Sequence, residues 1–196
     1  MLEYKKLLRN AATAKVGVVR EVLLPKQKYL VIAGKGKPAG PEFTEAIGQL
    51  YSVAYTIKFM PKKGIDILAY EPGYPINPLS ATYTALDLGW NWQMMLSQPE
   101  FVTESVLDQA KELLDKKGTP ATRVELKEIE FGPCVQTLHI GPYSAEQPAI
   151  ELLTEYLQIN GRQPTGHIEV YLNSPEKVSE DKLKTIIRYP YISLHP

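Results

Sequence analysis

The spacing of apolar positions changes along the chain, and each change marks an element. Tyr29-Leu30-Val31-Ile32-Ala33 is an unbroken apolar run of strand type, closed by Gly34, Gly36, Pro38 and Gly40-Pro41. Pro41 stands where a first helical residue loses nothing by lacking an N–H. Phe43, Ile47, Leu50, Ala54 and Ile57 then recur at steps of four and three, which predicts an amphipathic helix flanked by a stripe of Gly48, Tyr51 and Tyr55. Residues 65–71 read as a strand, 71–79 as a proline-rich loop and 80–88 as a second strand. A helix starts near Thr103, places Val106, Ala110, Leu113 and Leu114 on one face, and stops at Gly118. Residues 122–131 alternate, and 134–140 form a strand run ended by Gly141-Pro142-Tyr143. Ser144 and Gln147 have capping-box spacing ahead of a helix through Ile150, Leu153 and Leu157, which Asn160-Gly161 closes. Residues 167–172 and 185–191 are the last extended pieces.

Strand, Gly/Pro turn, helix and further strands thus occur twice. The order predicts an α+β fold made by tandem duplication of a strand-helix-strand-strand module, with a ligand cleft between the repeats. Residues 1–28 read as an N-terminal arm. Residues 29–196 read as one ligand-binding domain: repeat one over about 29–88, a connector over 89–121, and repeat two over about 122–191.

Composition narrows the function. Lys+Arg and Asp+Glu balance at 22 each, which gives no bulk electrostatic footprint for nucleic acid or an anionic membrane. One cysteine, Cys134, excludes an intrachain disulfide, and no segment approaches a membrane span or an export signal, so a cytoplasmic protein is expected. Twelve tyrosines against four phenylalanines point to aromatic faces that carry a polar end.

Few constellations carry chemistry. His167, Glu169 and Tyr171 alternate with Ile168, Val170 and Leu172, so the polar set shares one strand face. That face meets either solvent or a cleft. In a cleft, a carboxylate between aromatic rings suits a delocalised cation. Trp90 and Trp92 share a face if extended, as a stacking wall or as ordinary buried rings. Tyr51 and Tyr55, one helical turn apart, either fill the core edge or line a cavity, and Tyr143 and His139 flank a Gly-Pro turn. The three histidines and lone cysteine lack metal-ligand spacing, and phosphate-loop, dinucleotide and nucleophile-elbow motifs are missing. No metal or cofactor is expected.

The segment 50–59 (LYSVAYTIKF), Trp90-Asn91-Trp92, the 98–103 run (QPEFVT), His139-Ile140-Gly141-Pro142-Tyr143, the 167–173 run (HIEVYLN) and the 183–188 tail (LKTIIR) together resemble stand-alone GyrI-like small-molecule-binding proteins. The resemblance runs in order over nearly the whole chain. It implies multidrug or xenobiotic binding of lipophilic, often cationic, planar aromatics. Glu169 matches the family's cation partner, and Trp90, Trp92, Tyr51, Tyr55, Tyr143, Tyr171 and His167 supply ring faces. A monomer or homodimer with no direct contact to nucleic acid or membrane is expected. One subfamily hydrolyses cyclopropane-bearing DNA-alkylating natural products in an aromatic cage. That makes detoxifying hydrolysis the alternative, with Glu169 or Glu71 handling water. The family name also suggests an inhibitor of a topoisomerase. The subfamily's Pro-Leu-Glu-Gly-Leu-Trp-Trp run is replaced here by Ala69-Tyr70-Glu71-Pro72-Gly73-Tyr74-Pro75, so the paired tryptophans are gone.

Overall fold

The computed structural model describes residues 11–38, 40–86 and 89–194. In chain order its elements are β1 (Arg20–Leu24), β2 (Gln27–Lys35), α1 (Pro41–Phe59), β3 (Leu79–Leu86), β4 (Gly89–Gln98), α2 (Glu104–Asp115), β5 (Glu125–Ile129), β6 (Gly132–Ile140), α3 (Gln147–Ile159), β7 (Arg162–Pro164), β8 (Ile168–Tyr171) and β9 (Lys184–Ser193). They fall into two compact units. The first holds Gln27–Asn77 and Ala85–Ile129; the second holds residues 11–26, Pro78–Thr84 and the chain from Glu130 onward. The α+β class expected from the sequence is what the chain adopts.

In the first unit β2 lies between β4 and β5, antiparallel to both. α1 packs on this sheet and on α2. Pro41 occupies the first turn of α1, and the stripe read from the sequence is buried at Phe43, Leu50, Ala54 and Ile57. α2 starts where the Thr103 hydroxyl accepts the Val106 N–H at 3.4 Å. The residues read as a connector are therefore a strand and a helix of this unit. The strand expected over 65–71 does not form. Gly64, Ala69 and Gly73 all have positive φ (77°, 59° and 75°), which bends the segment into turns that no ladder can use. Its apolar content is buried regardless: Ile67 is in the core, and Tyr70 and Tyr74 pack edge-on against Phe101 at 5.3 and 5.2 Å.

Trp92 faces Gly34 across the β2–β4 pair. A Cβ at position 34 would lie 2.2 Å from the Trp92 ring, so glycine is what lets the indole lie flat on the neighbouring strand. Gly34→Ala is expected to cost about 1–3 kcal/mol of stability. An unchanged urea midpoint would contradict this packing.

In the second unit β6 pairs with β1 and β9, β9 with β8, and β8 with the first part of β3, all antiparallel. β7 pairs with the far end of β9. α3 buries Leu153 and Leu157 against Val135, Ile187, Tyr189 and Tyr191. On the opposite face Ile168, Val170 and Ile186 pack with Ala14, Phe131 and Leu138. Within the stretch read as an arm, residues 11–26 thus supply a strap and β1, and residues 1–10 lie outside the described residues. Gln136 Nε2 donates to the Ala11 and Thr13 carbonyls at 3.1 and 2.9 Å, and Arg188 donates to Gln136 Oε1 at 2.8 Å and to the Ala11 carbonyl at 2.6 Å. The capping box expected at Ser144 and Gln147 is not made. Glu146 is the N-cap without a side-chain cap bond, and Gln147 Nε2 donates to Glu151 at 3.0 Å instead.

Candidate functional site

The register of the second unit decides which face of β8 carries the polar set. Glu169 lies opposite Ile187, and Tyr171 opposite Thr185. Cross-strand partners point to the same side of a sheet. Ile187 packs under α3, so Glu169 and Tyr171 also stand on the α3 side. The aliphatic set Ile168 and Val170 turns away from that helix, toward the N-terminal strap.

On the α3 side the carboxylate is held from two directions. Glu169 Oε1 is 3.0 Å from His167 Nε2, and Oε2 accepts the Tyr171 hydroxyl at 2.7 Å. The Tyr171 and Tyr83 hydroxyls are hydrogen-bonded to each other, and His167 Nδ1 is 3.3 Å from the Tyr189 hydroxyl. A His167 tautomer protonated on Nε2 satisfies both of its bonds, donating to Glu169 and accepting from Tyr189. Ring contacts extend the cluster. Tyr143 meets Tyr171 edge-on at 5.6 Å, His167 lies 5.3 Å from Tyr189, and Tyr83 lies 6.4 Å from His167. The Glu169 side chain keeps 15% of its surface exposed, so the carboxylate is recessed but reachable.

A second carboxyl belongs to the same electrostatic neighbourhood. Glu146 ends the single turn Tyr143–Ala145 and leads into α3. It is 6% exposed, and its Oε1, like the Thr185 hydroxyl, is buried without a hydrogen-bond partner among the described residues. Burial, followed by the negative charge of Glu169, pushes the Glu146 carboxyl up to about 8, with the nearby Thr185 hydroxyl tempering the rise. Burial, and then the same Glu169 charge, raises the hydroxyls of Tyr83, Tyr171 and Tyr189, and burial, then Glu146 and Glu169, raises that of Tyr143. At neutral pH Glu146 is therefore held as a neutral carboxylic acid among several hydroxyl donors. A carboxyl kept neutral by burial can act as a proton donor.

This has a consequence for stability. Folded Glu146 holds a proton that the unfolded chain gives up near 4.5. Its contribution is complete below that pH and is lost as pH rises through about 8. Glu146→Gln is expected to flatten the decline in stability between pH 5 and 9 by roughly 1–3 kcal/mol. Equal slopes for the two proteins in thermal melts would contradict the burial of a neutral acid here.

Of the residues singled out in the sequence, Glu169, Tyr171, His167 and Tyr143 come together in this cluster. Trp90, Trp92, Tyr51, Tyr55 and Glu71 belong to the first unit, and His139 lies in the second unit outside the cluster's hydrogen bonds. Trp92 is 2% exposed and meets Phe43 edge-on at 5.3 Å, so it is a core residue, whereas Trp90, two residues earlier on the same strand, is 40% exposed. Tyr51, Tyr55 and Phe59 stack along α1 at 6.3 and 6.2 Å, and the Glu71 carbonyl accepts the Tyr74 N–H within a turn. His139 is buried with Nε2 3.0 Å from the Pro142 carbonyl. Sequence reasoning missed Glu146, Tyr83 and Tyr189. Tyr83 and Tyr189 sit in runs read simply as strands, and only the register brings their rings beside β8. Among the described residues no group of three or more His, Cys, Asp or Glu could hold a metal ion, and no helix is long and apolar enough to cross a membrane.

Residues 100–192, which include nearly all of this cluster, match the GyrI-like small molecule binding domain. A solved structure described as a hydrolase from Listeria innocua is 32% identical, with a TM-score of 0.89 over 96% of this chain and 98% of that one. The structure of an uncharacterized conserved protein from Listeria innocua gives the same identity, coverage and TM-score. The C-terminal domain of EcmrR shares the fold alone, at 15% identity and a TM-score of 0.50 over 90% of this chain and 97% of that domain. No curated protein matches the chain. A relative 32% identical along almost the full length, together with the match to the family over residues 100–192, shows that this chain belongs to the GyrI-like family.

Proposed function

We propose that the Glu169 cluster binds planar, lipophilic aromatic small molecules and prefers those carrying positive charge. The observation that carries this reading is a recessed carboxylate set among the rings of Tyr143, Tyr171, His167, Tyr189 and Tyr83. Such a carboxylate attracts a cation with several kcal/mol at an effective dielectric constant near 20, and each aromatic face adds about 0.5–2 kcal/mol. Membership of a small-molecule-binding family supports the reading. Calorimetric titration with a rhodamine-type cation and with a neutral planar aromatic of similar size tests it. The cation is expected to bind at least tenfold more tightly; equal affinities would contradict the role of charge.

A second reading, hydrolysis of a strained ring, is favoured by the buried Glu146 acid, raised by desolvation and by Glu169, and by the relative described as a hydrolase. For a cyclopropane fused to a cyclohexadienone, water attacks the ring methylene, a C–O bond forms and the strained C–C bond breaks. The released electron pair passes through the dienone to its oxygen, which takes a proton from Glu146 or a tyrosine hydroxyl, while Glu169 receives the proton of the attacking water. The product equals substrate plus water, an alcohol and a phenol in one molecule. Incubation with a cyclopropapyrroloindole and product analysis tests this step: turnover is expected to exceed the buffer rate, and a rate equal to buffer would contradict it.

A further inference from the structure

The cluster contains more acid than one cation needs. Glu146 approaches from the start of α3 and Glu169 from β8, and both stand on the α3 side of the sheet. Glu169 is held by two side-chain hydrogen bonds, while Glu146 keeps a buried carboxyl oxygen, Oε1, with no hydrogen-bond partner among the described residues. The groups that act on Glu146 are neutral or anionic: Glu169 of β8, Tyr83 of β3, Tyr143 of its own turn, and Tyr189 and the Thr185 hydroxyl of β9. His139 of β6 directs Nε2 to the Pro142 carbonyl, and Arg188 of β9 bonds Gln136 and the Ala11 carbonyl, across the sheet under the strap. His167, just before β8, faces Glu169, with Nε2 3.0 Å from Oε1, and among the described residues no cationic side chain acts on the Glu146 carboxyl. Only its proton keeps it neutral, and an arriving organic cation would bring the missing charge.

We propose that ligand binding at this site is proton-coupled: seating an organic cation beside Glu169 expels the proton of Glu146, so each binding event releases a proton and affinity rises with pH. The proposal rests on the cluster being the ligand site. The exchange balances, since the acid loses one proton to solvent and the second carboxylate is neutralised by the ligand's fixed charge. A buried acid raised by desolvation and a neighbouring carboxylate is the group most easily shifted when a cation displaces water and screens that neighbour. The consequence is discrimination by ambient pH: weak capture when the proton stays, tight capture when it can leave.

The test uses ethidium, a planar cation whose charge does not change near neutral pH, with the full chain. Calorimetry at pH 7 in buffers of different ionisation enthalpy counts the protons released. Between half and one proton per ethidium is expected, together with an affinity gain on the order of tenfold from pH 6 to pH 8. In Glu146→Gln both the released proton and the pH dependence should vanish, with affinity fixed near the wild-type value at low pH. Ethidium binding with no proton released in any buffer would overturn the coupling and leave the binding reading intact. No ethidium binding across this pH range would overturn both.

Discussion

Glu169→Gln is expected to weaken binding of a planar organic cation at least tenfold while changing the affinity of a neutral planar aromatic by no more than about twofold. The substitution keeps the shape and an acceptor oxygen for Tyr171 at 2.7 Å, so the cluster should hold its geometry. What disappears is the full negative charge. Two unit charges 4 Å apart attract by about 4 kcal/mol at an effective dielectric constant of 20, and partial solvent access at the 15% exposed side chain lowers that figure. Even a third of it corresponds to about tenfold in affinity. Removing the charge also removes one of the two causes that raise Glu146, so the Glu146 carboxyl should titrate closer to the ordinary carboxylate range. Cation affinity unchanged by the substitution would remove Glu169 from the site.

The largest expected effect on stability lies in the other unit. Trp92→Ala should cost about 3–5 kcal/mol, a large share of the 5–15 kcal/mol that ordinarily separates folded from unfolded chains. The indole is 2% exposed, caps Gly34 on the neighbouring strand and receives the edge of Phe43 from α1, so its loss opens a void between helix and sheet. Trp90→Ala, by contrast, should change stability by about 0.5 kcal/mol or less, because its ring is 40% exposed. The pair Gly34→Ala and Trp92→Ala should be less than additive, since the void removes the clash. Chemical denaturation of the four variants measures this. Equal, small losses for both tryptophan variants would contradict the core role of Trp92.

Strand and helix positions were legible wherever one period dominated. The four-and-three spacing from Phe43 to Ile57 and the strict alternation from His167 to Leu172 both describe the folded elements. Positive-φ turns were harder to see. Residues 65–71 have strand composition, yet Gly64, Ala69 and Gly73 fold them into turns, and Ala69 gives no sign in sequence that its backbone will take φ 59°. The identity of Trp90 and Trp92 as a pair was visible, but their burial depended on Phe43 of α1 and on the missing side chain of Gly34, a contact between distant segments. The polar face of β8 was visible too, whereas its direction required the register with β9. Glu146 carried no signal, because a lone glutamate just before a helix is ordinarily solvated. Here packing at the start of α3 buries it instead, and burial beside Glu169 is what turns it into an acid.

The central claim, that the Glu169 cluster of the second unit is the ligand site, is tested most directly by a crystal structure with a rhodamine-type cation bound. The account predicts ligand density against the rings of Tyr143 and Tyr171, with the positive centre within about 6 Å of a ring centroid and drawn toward the Glu169 carboxylate. A ligand seated away from Glu169, with the bonds of His167 and Tyr171 to that carboxylate undisturbed, would contradict it.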